Sequence, residues 1–334
     1  MSKALKILSR PKGNAEEYGK WSVNPYIGCS HGCLYCYLKK GPSGAYLGQD
    51  SPVLKKGVVN EEHAYHLAMA EIFEHREEII RDGGLFMTFT SDPCAAETRY
   101  LFFRIASQAT QHDIPVTLLT KNADFFKYNT IVGLFDDAKR LGALPKYEIE
   151  KVILNSSMFS ALIGSYPYVK QQLAFGWTLT GRDELEPNAS PNAERIATMK
   201  RMSDEGYLTW ASIEPVIDFQ SSLEMICQAL EAGCKHFKIG LLTDRTRVVR
   251  KPFSFGEHHF DAYDLAECCS FTGYVMELTQ GRATVYWKQS FYDFLQGSDK
   301  KNPQPIHGMT AYEFLHQWSH SVDKDWSMFN NNKV

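Results

Sequence analysis

The sequence predicts an α/β fold, a partial (β/α)6 TIM-type barrel with a C-terminal cap. Short apolar runs alternate with helical segments about six times along the chain, which is typical of parallel strands joined by right-handed crossovers. The apolar runs end in polar or reactive residues, and in such barrels the carboxyl ends of the strands carry the chemistry. No glycine-rich phosphate-binding fingerprint follows the first predicted strand, so the pattern gives little support to a dinucleotide-binding domain.

The first half of the predicted barrel follows an N-terminal extension over residues 1–20. The segment "GGLFMTFTSD" is an apolar run that ends in small polar residues, as buried strands of parallel sheets do. The segment "AAETRYLFFRIASQATQHD" has helical spacing instead, because Tyr100 and Phe103 share one face. In order, this half comprises a strand over 21–29, a helix over 61–82, a strand over 83–92, a helix over 95–113 and a strand over 114–122.

The second half opens with a segment, 123–170, that is longer than one crossover needs and predicts a helical insertion. The next helix carries a start signal at Ser190 and Pro191 and a stop signal at Gly206. The barrel is predicted to span residues 21–299, with a C-terminal cap and tail over 300–334. The elements of this half are a strand over 171–181, a helix over 190–206, a strand over 207–217, a helix over 221–233 and a strand over 235–243.

The composition is that of a soluble globular protein. The chain has 334 residues, 44% of them hydrophobic and 22% charged, enough for one large domain or two ordinary ones. It contains no apolar run of about 18 residues and no signal-peptide core, so we expect a cytoplasmic protein that does not enter a membrane. The net charge of −3 argues against a protein that coats duplex nucleic acid through charge alone, but it permits a local basic patch.

The stretch "NPYIGCSHGCLYCY" places Cys29, Cys33 and Cys36 within eight residues, directly after the first predicted strand. Structural zinc and iron–sulfur clusters both normally take four protein ligands, so three thiols leave one metal position open. A chain of this length without a secretory signal favours reduced cysteines over a disulfide framework. The residues themselves leave three alternatives: an iron–sulfur cluster, three buried thiols, or a zinc site completed from elsewhere.

A C-x3-C-x2-C triplet on the loop after the first strand of a β/α barrel resembles the radical S-adenosylmethionine (SAM) superfamily. The resemblance implies a 4Fe–4S cluster held by Cys29, Cys33 and Cys36, with SAM chelated at the open iron. It further implies cleavage of SAM to a 5′-deoxyadenosyl radical that takes a hydrogen atom from the substrate. A one-electron donor such as flavodoxin or ferredoxin would be the protein partner.

Within that superfamily the chain is most similar to the spore photoproduct lyase-like branch. The matching segments "GCLYCYL", "TSD", "LLTKN", "WTLTG" and "ERIATMKRMSDEGYLTWASIEPVI" occur in order over residues 24 to about 245. A zwitterionic ligand needs a cation for its carboxylate and an acceptor for its ammonium group, and Lys121 and Asp92 offer both. The SAM-binding residues that the resemblance implies are Tyr35, Tyr37, Ser91, Asp92, Lys121, Thr178, Thr180 and Glu214.

The chain departs from this branch at one position. The photoproduct-repairing enzymes carry a hydrogen-donating cysteine immediately before the Thr-Ser-Asp segment, and this chain has Phe89 there. Reversal of a DNA photoproduct is therefore not expected. Cys94 follows shortly after and is the candidate catalytic thiol, with a small buried residue as the alternative.

A basic segment after the strand over 235–243 carries the candidate substrate-binding residues Arg245, Arg247 and Arg250. Arginines recognise phosphate and carboxylate groups well, so this segment could bind an anionic substrate; a solvated basic loop is the alternative. Together with the resemblance to the spore photoproduct lyase-like branch, this segment favours a nucleic-acid or nucleotide substrate. The open alternatives are a radical SAM enzyme that modifies a peptide or protein, and a non-catalytic, zinc-stabilised binding module.

Overall fold

We describe the protein from a computed structural model. The helical insertion predicted within 123–170 falls almost wholly outside the described residues, as do the predicted cap over 300–334 and Arg245. In the part of the chain that is described, no helix is long and apolar enough to span a membrane. The described residues are 5–124, 170–244 and 247–299.

The predicted α/β fold is confirmed, because eight strands form one mostly parallel sheet of the partial TIM-barrel type. Within the described ranges the strands are β1 (Leu8–Ser9), β2 (Ser22–Val23), β3 (Tyr26–Ile27), β4 (Val53–Leu54), β5 (Leu85–Met87), β6 (Val116–Thr120), β7 (Leu173–Thr178), β8 (Leu208–Val216), β9 (His236–Leu241), β10 (Thr243–Asp244), β11 (Arg247–Val248), β12 (Phe253–Phe255), β13 (His258–Phe260) and β14 (Thr284–Trp287). The spatial order of the eight-stranded sheet is β1-β2-β5-β6-β7-β8-β9-β14. In this sheet β1 is antiparallel to β2, and the pairs β2–β5, β5–β6, β8–β9 and β9–β14 are parallel.

The helices alternate with these strands, and several begin at a side-chain cap. Asn60, Asp218 and Asp264 each accept a hydrogen bond from a backbone N–H of the first turn, at 2.8 to 3.0 Å. In the part of the chain that the structure describes, the helices are α1 (Gly44–Leu47), α2 (Glu61–Glu74), α3 (Arg76–Arg81), α4 (Arg99–Gln111), α5 (Asn192–Asp204), α6 (Phe219–Glu231), α7 (Leu265–Thr279) and α8 (Gln289–Asp299).

The main differences from the predicted elements are at breaks that the hydrophobic pattern does not mark. The helix predicted over 61–82 is interrupted at His75 into α2 and α3. The strand predicted over 21–29 is divided into β2 and β3, and β3 pairs antiparallel with β4 instead of extending the main sheet. Pro25 lies between these two strands and has no N–H to offer a ladder. Two hairpins, β10–β11 and β12–β13, follow β9 where a loop was expected.

The described residues fall into two compact units, one of 5–30, 42–124 and 170–174, the other of 31–41, 175–244 and 247–299. The division passes between Cys29 and Cys33, so Cys29 belongs to the first unit, and Cys33 and Cys36 belong to the second. The domain bounds predicted from the sequence stay predictions.

The central strands of the second unit are buried on both faces, as expected for a parallel sheet covered by helices. Every residue of β7 and β9 is buried. Gly176 on β7 is required by close packing, because a Cβ there would lie 2.1 Å from the Trp210 indole on β8.

Candidate functional site

The first cysteine of the motif lies in the first unit, just after β3. Gly28 precedes it with φ +89°, and a Cβ at that position would lie 2.5 Å from the Ser51 carbonyl oxygen. The Cys29 N–H donates to the Gln49 carbonyl at 3.1 Å. The backbone at Cys29 is therefore held against the 49–51 segment, while its side chain is half-buried.

The rest of the motif belongs to the second unit and is fixed to residues 185–188. The Leu34 N–H donates to the Leu185 carbonyl at 2.9 Å, and the Asn188 N–H donates to the His31 carbonyl at 3.1 Å. Cys33 is buried at 7% exposure. All eight cysteines of the chain lie in described residues, where each has a free thiol. We call residues 31–41 the cysteine loop.

A buried network ties the cysteine loop to the end of β7. The Tyr35 hydroxyl donates to Glu186 Oε1, and Glu186 Oε2 lies 2.6 Å from Arg195 Nη2. The side chains of Glu186 and Arg195 are 0% exposed. Arg195 Nη1 donates to the carbonyl of Thr178 at 2.9 Å, and its Nε donates to the carbonyl of Ser190 at 2.6 Å. Burial, and then the Glu186 charge, raise the pKa of Tyr35 well above its usual value, so its hydroxyl stays a donor.

An aromatic hairpin covers the same loop. Phe255 on β12 meets the Tyr35 ring edge-on, with ring centroids 6.2 Å apart. Phe253 and Phe260 stack across the hairpin with centroids 5.4 Å apart. These rings pack against the buried cluster that contains Cys33 and Tyr35. Tyr37, by contrast, is 63% exposed.

In the first unit, Asp92 joins the ends of β5 and β6. Its Oδ1 accepts from the Thr120 hydroxyl at 2.7 Å and from the Cys94 N–H at 2.8 Å. Its Oδ2 accepts from the Lys121 N–H at 2.9 Å. Ser91 beside it has a buried Oγ that finds no hydrogen-bond partner among the described residues. Four predicted site residues, Ser91, Asp92, Cys94 and Lys121, are thus brought together at this edge of the first unit.

Phe89 and Cys94 occupy different surroundings. Phe89 stacks on Phe86 with ring centroids 4.4 Å apart and meets Tyr18 edge-on at 6.2 Å, so its place is filled by an aromatic cluster. Cys94 is 0% exposed. Burial, and then the Asp92 charge, raise the pKa of the Cys94 thiol well above its usual value. The thiol is protonated at neutral pH, as a packed residue would be.

Two further predicted contacts, Glu214 and Thr180, lie on or after strands of the second unit. Lys288 Nζ donates to both carboxylate oxygens of Glu214 at 2.7 Å, and the Lys288 side chain is only 3% exposed. A Cβ at position 240 would lie 3.0 Å from Glu214 Oε1, so Gly240 leaves room for this pair. The Thr180 N–H donates to Asn192 Oδ1 at 3.2 Å, and its hydroxyl accepts from the Arg182 N–H at 3.2 Å.

The two described arginines of the basic segment differ. Arg247 on β11 is exposed. Arg250 donates through Nη1 to the Phe294 carbonyl at 3.3 Å and through Nη2 to the Asp293 carbonyl at 2.5 Å, and its guanidinium lies 5.0 Å from the centroid of the Phe294 ring. Arg250 thus fastens its segment to α8, whereas Arg247 faces solvent.

Sequence reasoning missed Glu186, Arg195 and Lys288, as well as the aromatic hairpin. Lys288 lies 74 residues from Glu214, and Glu186 lies 151 residues from Tyr35. The only signal available for them was a charged residue inside or beside an apolar segment. Across the described ranges, no three or more His, Cys, Asp and Glu side chains lie close enough together to hold a metal ion.

No family model matches this chain, and no curated protein matches it either. Among solved structures, a mutant of spore photoproduct lyase is similar over 86% of this chain and 81% of its own, with a TM-score of 0.55 and 13% identity. A double mutant of that enzyme with bound AdoMet and dinucleoside spore photoproduct gives 0.54 and 14% over the same shares. The enzyme complexed with dinucleoside spore photoproduct gives 0.53 and 14%.

The likeness is one of fold. It confirms the partial barrel predicted from the strand–helix alternation.

Proposed function

We propose that this chain is a radical SAM enzyme that holds a 4Fe–4S cluster through Cys29, Cys33 and Cys36 and binds SAM at its open iron. The observation that carries the proposal is the C-x3-C-x2-C triplet after the first strands of a fold similar to spore photoproduct lyase. When bound, the cluster supplies the electron that cleaves SAM to methionine and a 5′-deoxyadenosyl radical, which takes a hydrogen atom from the substrate.

The residues present fit both groups. Thiolates are the ligands that iron–sulfur clusters prefer, and three of them leave one iron for another ligand. Metal binding commonly orders its own ligands, so the proposal does not need the three thiols to be gathered beforehand. For SAM, the buried Ser91 Oγ, which has no hydrogen-bond partner within the described ranges, is a polar atom in need of a ligand beside Asp92.

The chain's own residues have distinct parts in this proposal. Lys121 pairs with the SAM carboxylate, and Asp92 accepts from the SAM ammonium group while it holds β5 and β6 together. Tyr35, Tyr37, Thr178, Thr180 and Glu214 complete the set that the resemblance implies. Lys288 is linked to this set through Glu214, because Lys288 Nζ donates to the Glu214 carboxylate at 2.7 Å.

Anaerobic reconstitution tests the proposal. We expect brown protein with about four irons and four sulfides per chain, and release of 5′-deoxyadenosine with dithionite and SAM. A Cys33→Ala variant should lose both properties. Cys227→Ala is the matched control, because Cys227 is a half-buried thiol on α6 outside the motif. Colourless protein that carries one zinc per chain would overturn the proposal in favour of a zinc-stabilised binding module.

For the substrate we propose a nucleotide or nucleic acid. The support is the dinucleoside photoproduct held by the spore photoproduct lyase structures, together with an exposed arginine on the hairpin β10–β11. Photoproduct reversal itself is not proposed, because an aromatic cluster fills the position of Phe89. Binding to oligonucleotides that weakens steeply with salt is the expected result, and no binding at low salt would refute this substrate class. We further propose a cytoplasmic location and a small one-electron donor such as flavodoxin or ferredoxin.

A further inference from the structure

A fully buried ion pair lies next to the cysteine loop and needs an explanation. Glu186 and Arg195 are both 0% exposed and 2.6 Å apart. Buried ion pairs contribute little net stability, because the desolvation of two charges offsets their attraction, and a well-packed apolar pair is often as stable. A role in fixing one particular conformation is the better-attested reason for keeping such a pair, and its remaining contacts indicate which conformation.

Glu186 contacts the cysteine loop, and Arg195 contacts the end of a strand of the main sheet. The second carboxylate oxygen of Glu186 accepts from the Tyr35 hydroxyl. Nη1 of Arg195 donates to the carbonyl of Thr178, at the end of β7, at 2.9 Å, and Nε donates to the carbonyl of Ser190, before α5, at 2.6 Å. The pair therefore links one side chain of the loop to two fixed points of the second unit.

Tyr35, the side chain of the cysteine loop that Glu186 contacts, lies inside the cysteine motif. Tyr35 lies between Cys33 and Cys36, and the Cys36 N–H donates to the Cys33 carbonyl at 3.2 Å, which closes a turn around Tyr35. A shift of the Tyr35 side chain would therefore rotate the backbone that carries both thiols. The hydrogen bond from the Leu34 N–H to the Leu185 carbonyl holds this turn at one point of the backbone. The hydrogen bond from the Tyr35 hydroxyl to Glu186 holds it at a second point and so prevents the turn from rotating about the first.

We propose that Glu186 and Arg195 are positioning residues for the cluster: through the Tyr35 hydroxyl they hold Cys33 and Cys36 in the conformation that receives it. This inference rests on the proposed function. A carboxylate is suited to the task because its two oxygens contact the Tyr35 hydroxyl and Arg195 at the same time. Arg195 is suited because its planar guanidinium binds the carboxylate and two carbonyls in fixed directions.

The test separates the hydrogen bond to Tyr35 from the burial of charge. The double variant Glu186→Gln with Arg195→Met is neutral and keeps an acceptor for Tyr35. The double variant Glu186→Leu with Arg195→Met is neutral and lacks it. A pair at the end of the same helix that is open to solvent, Arg201 on α5 with Glu205 at its C-cap, supplies the control Arg201→Met with Glu205→Gln, which removes the same charges away from the loop.

Each protein is assayed without metal by pulse alkylation and peptide mass spectrometry. Cys234 and Cys268 are buried in the same unit and report general unfolding. In the Leu/Met variant we expect Cys33 labelling to rise about ten-fold or more, because the Tyr35 hydroxyl has lost its acceptor and no longer opposes local opening. Labelling of the two reporters should not change. The Gln/Met variant and the control should label like the natural protein.

Iron uptake is the second readout. After anaerobic reconstitution, the Leu/Met variant should hold less iron per chain than the Gln/Met variant, which should match the natural protein. Unchanged Cys33 labelling in the Leu/Met variant would overturn the inference. So would labelling of Cys234 and Cys268 that rises in parallel, because the role would then be general stability. If the natural protein takes up no iron, the proposed function fails, and the alkylation pattern alone still decides whether the pair positions the loop.

Discussion

Asp92→Asn is predicted to destabilise the first unit strongly, because the native carboxylate accepts on both of its oxygens. Oδ1 takes the Thr120 hydroxyl and the Cys94 N–H, and Oδ2 takes the Lys121 N–H. An amide offers one acceptor oxygen and one donor NH2. In the better orientation the amide oxygen keeps Thr120 and Cys94, and the NH2 then faces the Lys121 N–H. The opposite orientation sets the NH2 against two donors.

The magnitude follows from this count. Asp92 is 6% exposed, so water cannot replace the lost bond. Loss of a hydrogen bond to a charged acceptor costs about 1.5–3 kcal/mol, and a donor left unsatisfied adds to it, so we expect a decrease of about 2–4 kcal/mol in the free energy of unfolding. Urea denaturation followed by circular dichroism measures this quantity.

Asp113→Asn is the matched control in the same unit. The Asp113 side chain is 57% exposed, and its carboxylate lies 3.5 Å from Arg76. Its φ is +62°, a conformation that asparagine also adopts readily. This variant should unfold within about 0.5 kcal/mol of the natural protein. If Asp92→Asn were equally harmless, the reasoning that makes Asp92 the link between β5 and β6 would be wrong.

Three further predictions follow from the described contacts. Alkylation of the native protein at pH 8 should leave Cys94 unmodified, because burial raises the pKa of its thiol and blocks access; labelling of Cys94 as fast as half-buried Cys269 would contradict this. Burial, and then the Lys238 charge, lower the pKa of His236 from 6.5 to about 3, so between these values only the unfolded chain binds the proton. The free energy of unfolding should therefore fall with decreasing pH by about 1.4 kcal/mol per pH unit from this residue, and His236→Asn should flatten that slope in urea titrations at several pH values. Arg247→Ala should weaken oligonucleotide binding more than Arg250→Ala does. Arg250→Ala should chiefly lower the melting temperature, since the Arg250 guanidinium is hydrogen-bonded to backbone carbonyls of α8. A larger loss of binding in Arg250→Ala than in Arg247→Ala would contradict the substrate proposal.

Much of the fold could be predicted because the strand bodies are unusually apolar. The run "LAFGWT" is buried at every residue as β7, and the helix over 190–206 forms as α5 with its ends within two residues of the prediction. The boundaries that were missed depend on local interruptions. Pro25 ends one short strand, and the turn at His75 divides a helix whose hydrophobic pattern runs on across it.

The candidate site was predictable only in part. The three cysteines and the Ser-Asp pair are contiguous in sequence, so their spacing carries the signal. The role of Glu186 and Arg195 could not be predicted, because only folding buries them as a pair. Folding also places the Tyr35 hydroxyl against Glu186, which is 151 residues away in the sequence. No periodicity encodes such a contact, because it depends on the loop that returns over the end of β7.

The central claim is that three thiols hold a cluster whose open iron binds SAM, and electron paramagnetic resonance tests it most directly. The natural protein, reconstituted without oxygen and reduced with dithionite, should give a 4Fe–4S signal whose g-values change when SAM is added. Cys33→Ala should give no such signal, and Cys227→Ala should match the natural protein. A 4Fe–4S signal that SAM leaves unchanged, or a protein that is silent because it holds zinc, would contradict the claim.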